Sequence, residues 1–174
     1  MPRRQRPDMP KPSEALIQEA RTLGFRVEPK QVHWAAMGGT PAAPIIIDVA
    51  TLTAPIGWDE GKCLSWYRDQ ATRLFASYPV KTVAVRDAEA FRPRGGGQTQ
   101  SLQTRCRIEG VIIEAANHSG LFVTSGRLDT ISANLDTKKA KQYLTEEELR
   151  GADWSKYSAL QREAILVAAS VLEG

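Results

Sequence analysis

Three β-rich stretches, FRVEP, KQVHWAAMG and APIIIDVATLT, follow one another with only turn-length breaks. The next strand signal, KTVAVRD, comes only after a full amphipathic helix. Strands joined by tight turns pair antiparallel, whereas strands separated by a helix pair parallel. The chain therefore specifies an α/β fold: a mixed five-stranded sheet of three antiparallel strands followed by parallel strands, flanked by helices.

The remaining elements fit this frame. Ser13 is positioned to cap a helix over EALIQEARTL, with Gly24 as its stop. In DEGKCLSWYRDQATRLFASYP, the residues Cys63, Leu64, Tyr67, Ala71, Leu74 and Phe75 fall on one helical stripe, and Pro79 ends it. SLQTRCRIEGVIIEAANHSG reads as a second long helix and LFVTSG as a further strand. KKAKQYL begins a short helix, and Thr145 with Glu148 has the spacing of a capping box. KYSALQREAILVAASVL closes the chain as a helix whose apolar stripe is Leu160, Ala164, Val167 and Val171. The expected organisation is a disordered basic arm over 1–12, an N-terminal helix over 13–24 and one domain over 25–174. Trp34, Trp58, Trp66 and Trp154 are expected in the core or an interface.

Composition narrows the class. With 42% apolar and 25% charged residues the chain is globular. Its apolar runs are too short for a membrane span and no signal-peptide pattern opens it. Cys63 and Cys106 form no CxxC pair, which suits a reducing, cytoplasmic setting. The net charge of +3 is small, but the basic residues cluster. Arg3, Arg4 and Arg6 lie in the arm, Arg92 and Arg94 in the Gly-rich FRPRGGG, and Lys138, Lys139 and Lys141 in TKKAK. Such clusters on a near-neutral body suit a phosphate-binding face or a solvated one.

Three acids stand out by position. Glu28 ends the first strand, Asp87 ends the fourth, and Glu163 sits beside the apolar stripe of the closing helix. In the expected sheet the first and fourth strands are neighbours, so these acids either converge over one edge or remain separate surface charges. A converged set is what phosphodiester cleavage uses: carboxylates hold two magnesium ions about 4 Å apart, one activating water and one stabilising the leaving oxygen. Asp48, Glu89, Asp129 and Asp136 are nearby spares, and Asp48 is an alternative to Glu28 as the first acid.

From about Phe25 to Leu172 the order of VEPKQVHWAAMG, VAVRD, TRCRIEGVIIEAA, ISANLDTKKAKQYL and LQREAILVAAS resembles the RuvC family of Holliday junction resolvases, within the RNase H-like superfamily. The resemblance implies Glu28, Asp87 and Glu163 as catalytic and metal-binding acids, with Mg2+ as cofactor and Mn2+ as its substitute. It implies Phe91 as an aromatic that enters the junction, and Lys138 and Lys139 as the basic segment near the site. Arg92 and Arg94 in the Gly-rich loop offer planar forks for phosphate oxygens of DNA, and Arg105 on the following helix either extends that patch or is simply exposed. It also implies a homodimer, because a four-way junction has two-fold symmetry. The sequence departs from the family's pattern at each acid. Glu28 stands for an Asp, Asp87 for a Glu, Glu163 for an Asp, and Leu160 for a further acid or His. Three readings stay open: a magnesium-dependent endonuclease of branched DNA, a catalytically degenerate relative or assembly subunit that binds nucleic acid, and an RNase H-like fold used only for protein contacts.

Overall fold

The computed structural model describes residues 11–89, 96–135 and 139–173. Phe91, Arg92, Arg94, Asp136 and Lys138 lie outside the described residues, as does most of the expected basic arm.

The chain opens with a short helix α1 (Glu14–Gln18), then strands β1 (Thr22–Val27), β2 (Gln31–Gly39) and β3 (Pro44–Thr53). Helix α2 (Glu60–Ser77) leads to β4 (Thr82–Arg86), and helix α3 (Gly96–His118) to β5 (Phe122–Gly126). The strands form one five-stranded sheet in the order β3-β2-β1-β4-β5. β1, β2 and β3 are antiparallel neighbours; β4 runs parallel to β1, and β5 parallel to β4. This is the mixed sheet that the order of elements predicts. The final third adds α4 (Leu128–Ser132), α5 (Ala140–Leu144), a two-stranded hairpin of β6 (Glu148–Leu149) and β7 (Ala152–Asp153), and α6 (Ala159–Ala169).

Two apolar layers follow from the period-two alternation of the strands. Leu23, Phe25 and Val27 of β1 point to one face, where they pack with Tyr67 and Ala71 of α2 and Ile108, Ile112 and Ala116 of α3. The opposite face carries Ala35, Met37, Val49 and Ala84, and α6 lies across it. Helix α6 is more deeply enclosed than its stripe predicts. Ala164 through Ala169 are all fully buried, because the segments between β5 and α6 cover the side away from the sheet with Leu135 of a 3-10 turn, Tyr143 of α5, Leu149 of β6 and Trp154 just after β7. A helix apolar on every side is one packed on every side.

The close fit of α6 explains one departure from the sequence reading. Gly24 does not stop a helix. It sits inside β1, where a Cβ would lie 2.2 Å from the Ala164 carbonyl oxygen. Thr22 beside it donates its hydroxyl to Ala168 O at 2.8 Å. Thr145 caps the end of α5 rather than the start of another helix: its hydroxyl donates to Gln142 O, and Glu148 enters the hairpin. The capping box lies at α6 instead, between Ser158 and Gln161. Trp34 and Trp154 are buried as expected, whereas Trp58 is exposed.

Candidate functional site

On the α6 side of the sheet, successive rungs change character toward the C-terminal ends of β1 and β4. Thr22 pairs with Met37 and Thr82; Gly24 pairs with Ala35 and Ala84. These small or apolar residues let α6 approach. The next rung is charged: Thr51, His33, Arg26, Arg86 and Gly126 face one another across β3, β2, β1, β4 and β5. The C-terminal edge of parallel strands is where open α/β sheets place their ligands. Here that edge carries two buried arginines side by side.

Glu163, near the start of α6, hangs over this rung. Its Oε2 accepts from Arg26 Nε at 2.6 Å and forms an ion pair with Arg86 Nε at 3.0 Å. The second contact is ionic only, since the Arg86 N–H is not aligned for a hydrogen bond. Arg26 Nη1 also reaches Glu28 Oε1 at 2.6 Å and the Val27 carbonyl oxygen. Arg86 Nη2 reaches Glu89 at 3.4 Å. One carboxylate thus bridges two guanidinium groups, and each guanidinium holds a second acid.

A neighbouring pair comes from α3. Glu109 is buried, its Oε2 accepting from the Ala88 backbone N–H at 3.1 Å and its Oε1 lying 3.8 Å from Arg105 Nη2. Burial pushes the Glu109 carboxyl above its ordinary pKa, more than the Ala88 N–H and Arg105 pull it down; the charge of Asp87 adds to the rise. Arg105 is lowered, first by burial and then by the like charge of Arg26. His33 is also lowered by burial and by Arg26; its Nδ1 is 2.8 Å from Thr51 Oγ1 and its buried Nε2 has no hydrogen-bond partner.

Of the three expected acids, Glu28 and Glu163 are therefore brought together, but through an arginine. Glu28 lies one residue past β1, in the turn where its N–H donates to Gln31 O at 2.8 Å. Asp87 lies one residue past β4, its N–H donating to Gly126 O at 2.8 Å. Glu163 and Glu28 meet at Arg26. Leu160 supplies no oxygen one turn earlier. Among the described residues no group of three or more His, Cys, Asp or Glu side chains is arranged to hold a metal ion. Magnesium demands several oxygens in near-octahedral array. Carboxylate oxygens held by guanidinium groups at 2.6 Å do not offer that, so the donor set does not fit a divalent ion.

Other candidates sort as follows. Asp48 is taken up elsewhere: its Oδ2 accepts from the Tyr78 hydroxyl at 2.6 Å and its Oδ1 from Val49 N. Asp129 lies in the first turn of α4. Lys139 is exposed at the start of α5. The Arg105 side chain is only 15% exposed, against Glu109, while the exposed Arg107 pairs with Glu60 at 2.6 Å. A cleft of about 970 Å3 between the β3–α2 connection and α3 includes Trp58, Tyr67 and Gln103, but it is formed by the other layer and contains none of the clustered charges.

Sequence reading missed Arg26, Arg86, Glu109 and His33. A signal was present. Arg26 follows Gly24 by two residues and Arg86 follows Ala84 by two, so each shares the inward parity of a residue that packs beneath α6.

No protein-family model and no curated protein matches this sequence. Solved structures do match its fold. A structure of Thermus thermophilus RuvC superposes with a TM-score of 0.67 at 11% identity, covering 86% of this chain and 91% of that one. T. thermophilus RuvC in complex with a Holliday junction substrate gives 0.66 at 10% identity, covering 86% and 90%. The yeast mitochondrial Holliday junction resolvase Ydc2 gives 0.57 at 12% identity, covering 89% and 80%. The chain has the RuvC-type, RNase H-like fold.

Proposed function

We propose that this chain binds branched DNA of the four-way-junction type and leaves the phosphodiester backbone intact. The observation that carries the reading is the sharing of Glu163 between Arg26 and Arg86 at the C-terminal edge of β1 and β4. On this fold, an edge that would position metal-activated water is filled by ion pairs. What remains for DNA is the surface around it.

On this reading Lys138 and Lys139, which precede α5 in the sequence, and Phe91, Arg92 and Arg94, which fall between β4 and α3, contact the nucleic acid. Guanidinium forks take phosphate oxygens, and an aromatic ring stacks on an unpaired base for about 1–3 kcal/mol. Arg105 contributes less directly, since a phosphate contact requires it to leave Glu109. A homodimer supplies the two-fold symmetry of a junction. Among the described residues no helix is long and apolar enough to cross a membrane. The lone Cys63 and Cys106 suit action in the reducing cytoplasm. The contrasting reading is an endonuclease, in which Glu28, Asp87 and Glu163 around Mg2+ or Mn2+ would cut the junction rather than hold it.

The test is competition binding with a labelled four-way junction against linear duplex of the same sequence, repeated across salt concentrations. The junction should win by at least about tenfold, and log K should fall linearly with log salt, because phosphate contacts release counterions. Arg92→Ala with Arg94→Ala should weaken binding and flatten that slope. Equal affinity for duplex and junction would leave a DNA-binding fold with no preference for branches, and no binding to either would leave the fold serving protein contacts in an assembly.

A further inference from the structure

We infer that the guanidinium groups of Arg26 and Arg86 take the place of divalent cations at this edge. The chain is indifferent to magnesium and manganese as it stands, and becomes a metal-binding protein when those two positions carry acids. The inference stands on the ion-pair geometry and is independent of whether DNA binds.

Glu28, Glu89 and Glu163 come from the β1–β2 turn, the segment after β4 and helix α6, and all three reach the same pair of arginines. Acids brought this close repel unless a cation lies between them. Metal sites use divalent ions for that purpose. Here Arg26 and Arg86 do it, with side chains only 8% and 11% exposed. The two arginines are direct register partners on parallel strands, and adjacent strands lie about 4.8 Å apart. Acids at positions 26 and 86 would therefore stand side by side beneath Glu163. They would give three carboxylates from three elements around one point, with Glu28 and Glu89 at the rim. Both replacements are shorter than arginine, so the space vacated by two guanidinium groups is open to an ion and its water. Hard oxygen donors in that number suit magnesium or manganese.

The experiment titrates manganese into the full-length wild-type chain and the Arg26→Asp/Arg86→Glu variant by calorimetry, and follows thermal unfolding of each with manganese or chelator. The wild type should give no binding heat in the millimolar range and the same melting temperature in both conditions. The double variant should melt below the wild type in chelator, bind manganese, and gain about 5 °C or more on saturation, since a ligand that binds only the folded state stabilises it. Adding Glu163→Gln to the variant should weaken that binding at least about tenfold, since loss of even a group that only orients a ligand costs about 10–100-fold. Wild-type binding that is lost in Glu163→Gln would overturn the inference. A double variant that folds without binding manganese would also overturn it. So would one that stays unfolded in manganese, because the ion should then take over the neutralising role.

Discussion

Arg26 and Arg86 are cross-strand partners on the parallel strands β1 and β4, and both reach the same oxygen of Glu163, at 2.6 and 3.0 Å. This relationship ties the last turn of the sheet to the start of α6. It also fixes the chemistry of the edge, because a carboxylate shared by two buried cations is not a free metal ligand.

Glu163→Gln keeps the size of the side chain and removes its charge. Two largely buried guanidinium groups then lose their common counter-ion. Breaking a buried pair from one side costs about 3–5 kcal/mol. Glu163 is 15% exposed, so the expected loss is near the lower end, about 3 kcal/mol by denaturant unfolding. An unchanged midpoint would mean that the arginines are satisfied by water.

Gly24→Ala tests the packing that brings α6 over the edge. Its Cβ would stand 2.2 Å from Ala164 O and 2.8 Å from the Ala168 Cβ. Helix α6 must move away, and the variant should lose about 3 kcal/mol or more, at the top of the range for overpacking. Ala84→Gly, on the adjacent strand, should cost about 1 kcal/mol and leave α6 in place.

His33 makes the fold sensitive to mild acid. Its pKa is lowered from the ordinary 6.5, first by burial and then by Arg26, with Glu28 and Glu163 pulling the other way. The unfolded chain therefore binds a proton on His33 at a higher pH than the folded chain does. The stability that depends on neutral His33 is whole above pH 6.5 and is lost as pH falls below it toward the lower folded value. Unfolding midpoints of wild type minus His33→Gln should decline through that window. A difference that stays flat from neutral pH down through this range would contradict the assignment.

Tyr78→Phe removes a hydrogen bond to a carboxylate. The Tyr78 hydroxyl donates to Asp48 at 2.6 Å, and burial together with Asp48 holds its pKa well above the usual tyrosine value. Hydrogen bonds to charged groups contribute about 1.5–3 kcal/mol, so a loss of about 2 kcal/mol is expected. Because this pair is separate from the charged edge, junction binding should be unaffected. Weakened junction binding in a fully folded Tyr78→Phe protein would place Asp48 in the site.

How much of this was legible beforehand depends on the range of the interaction. The sheet was readable because strand composition and turn spacing are local: β3 is rich in Ile, Val and Thr, and Gly- and Pro-bearing turns bound both β2 and β3. Gly24 misled because its side-chain-free position serves a contact with Ala164, 140 positions along the sequence, and not the end of the preceding helix. Glu28 and Asp87 lie just past the neighbouring strands β1 and β4, and Glu163 overhangs them from α6, a placement that strand ends and helix stripe make legible. What occupies the space between them was not legible. Arg26 and Arg86 read as ordinary strand charges until the register shows them paired beneath Glu163. The capping box predicted at Thr145 is the same kind of error: a good local signal at a place where Trp154 and the hairpin decide the backbone.

The measurement that bears most directly on the central claim is incubation of the chain with a labelled four-way junction in magnesium, in manganese and in chelator. A retarded, uncut junction of equal intensity is expected in all three. Paired symmetric nicks that require metal and vanish in Asp87→Asn would contradict it, and would show that the acids at this edge still gather ions despite Arg26 and Arg86.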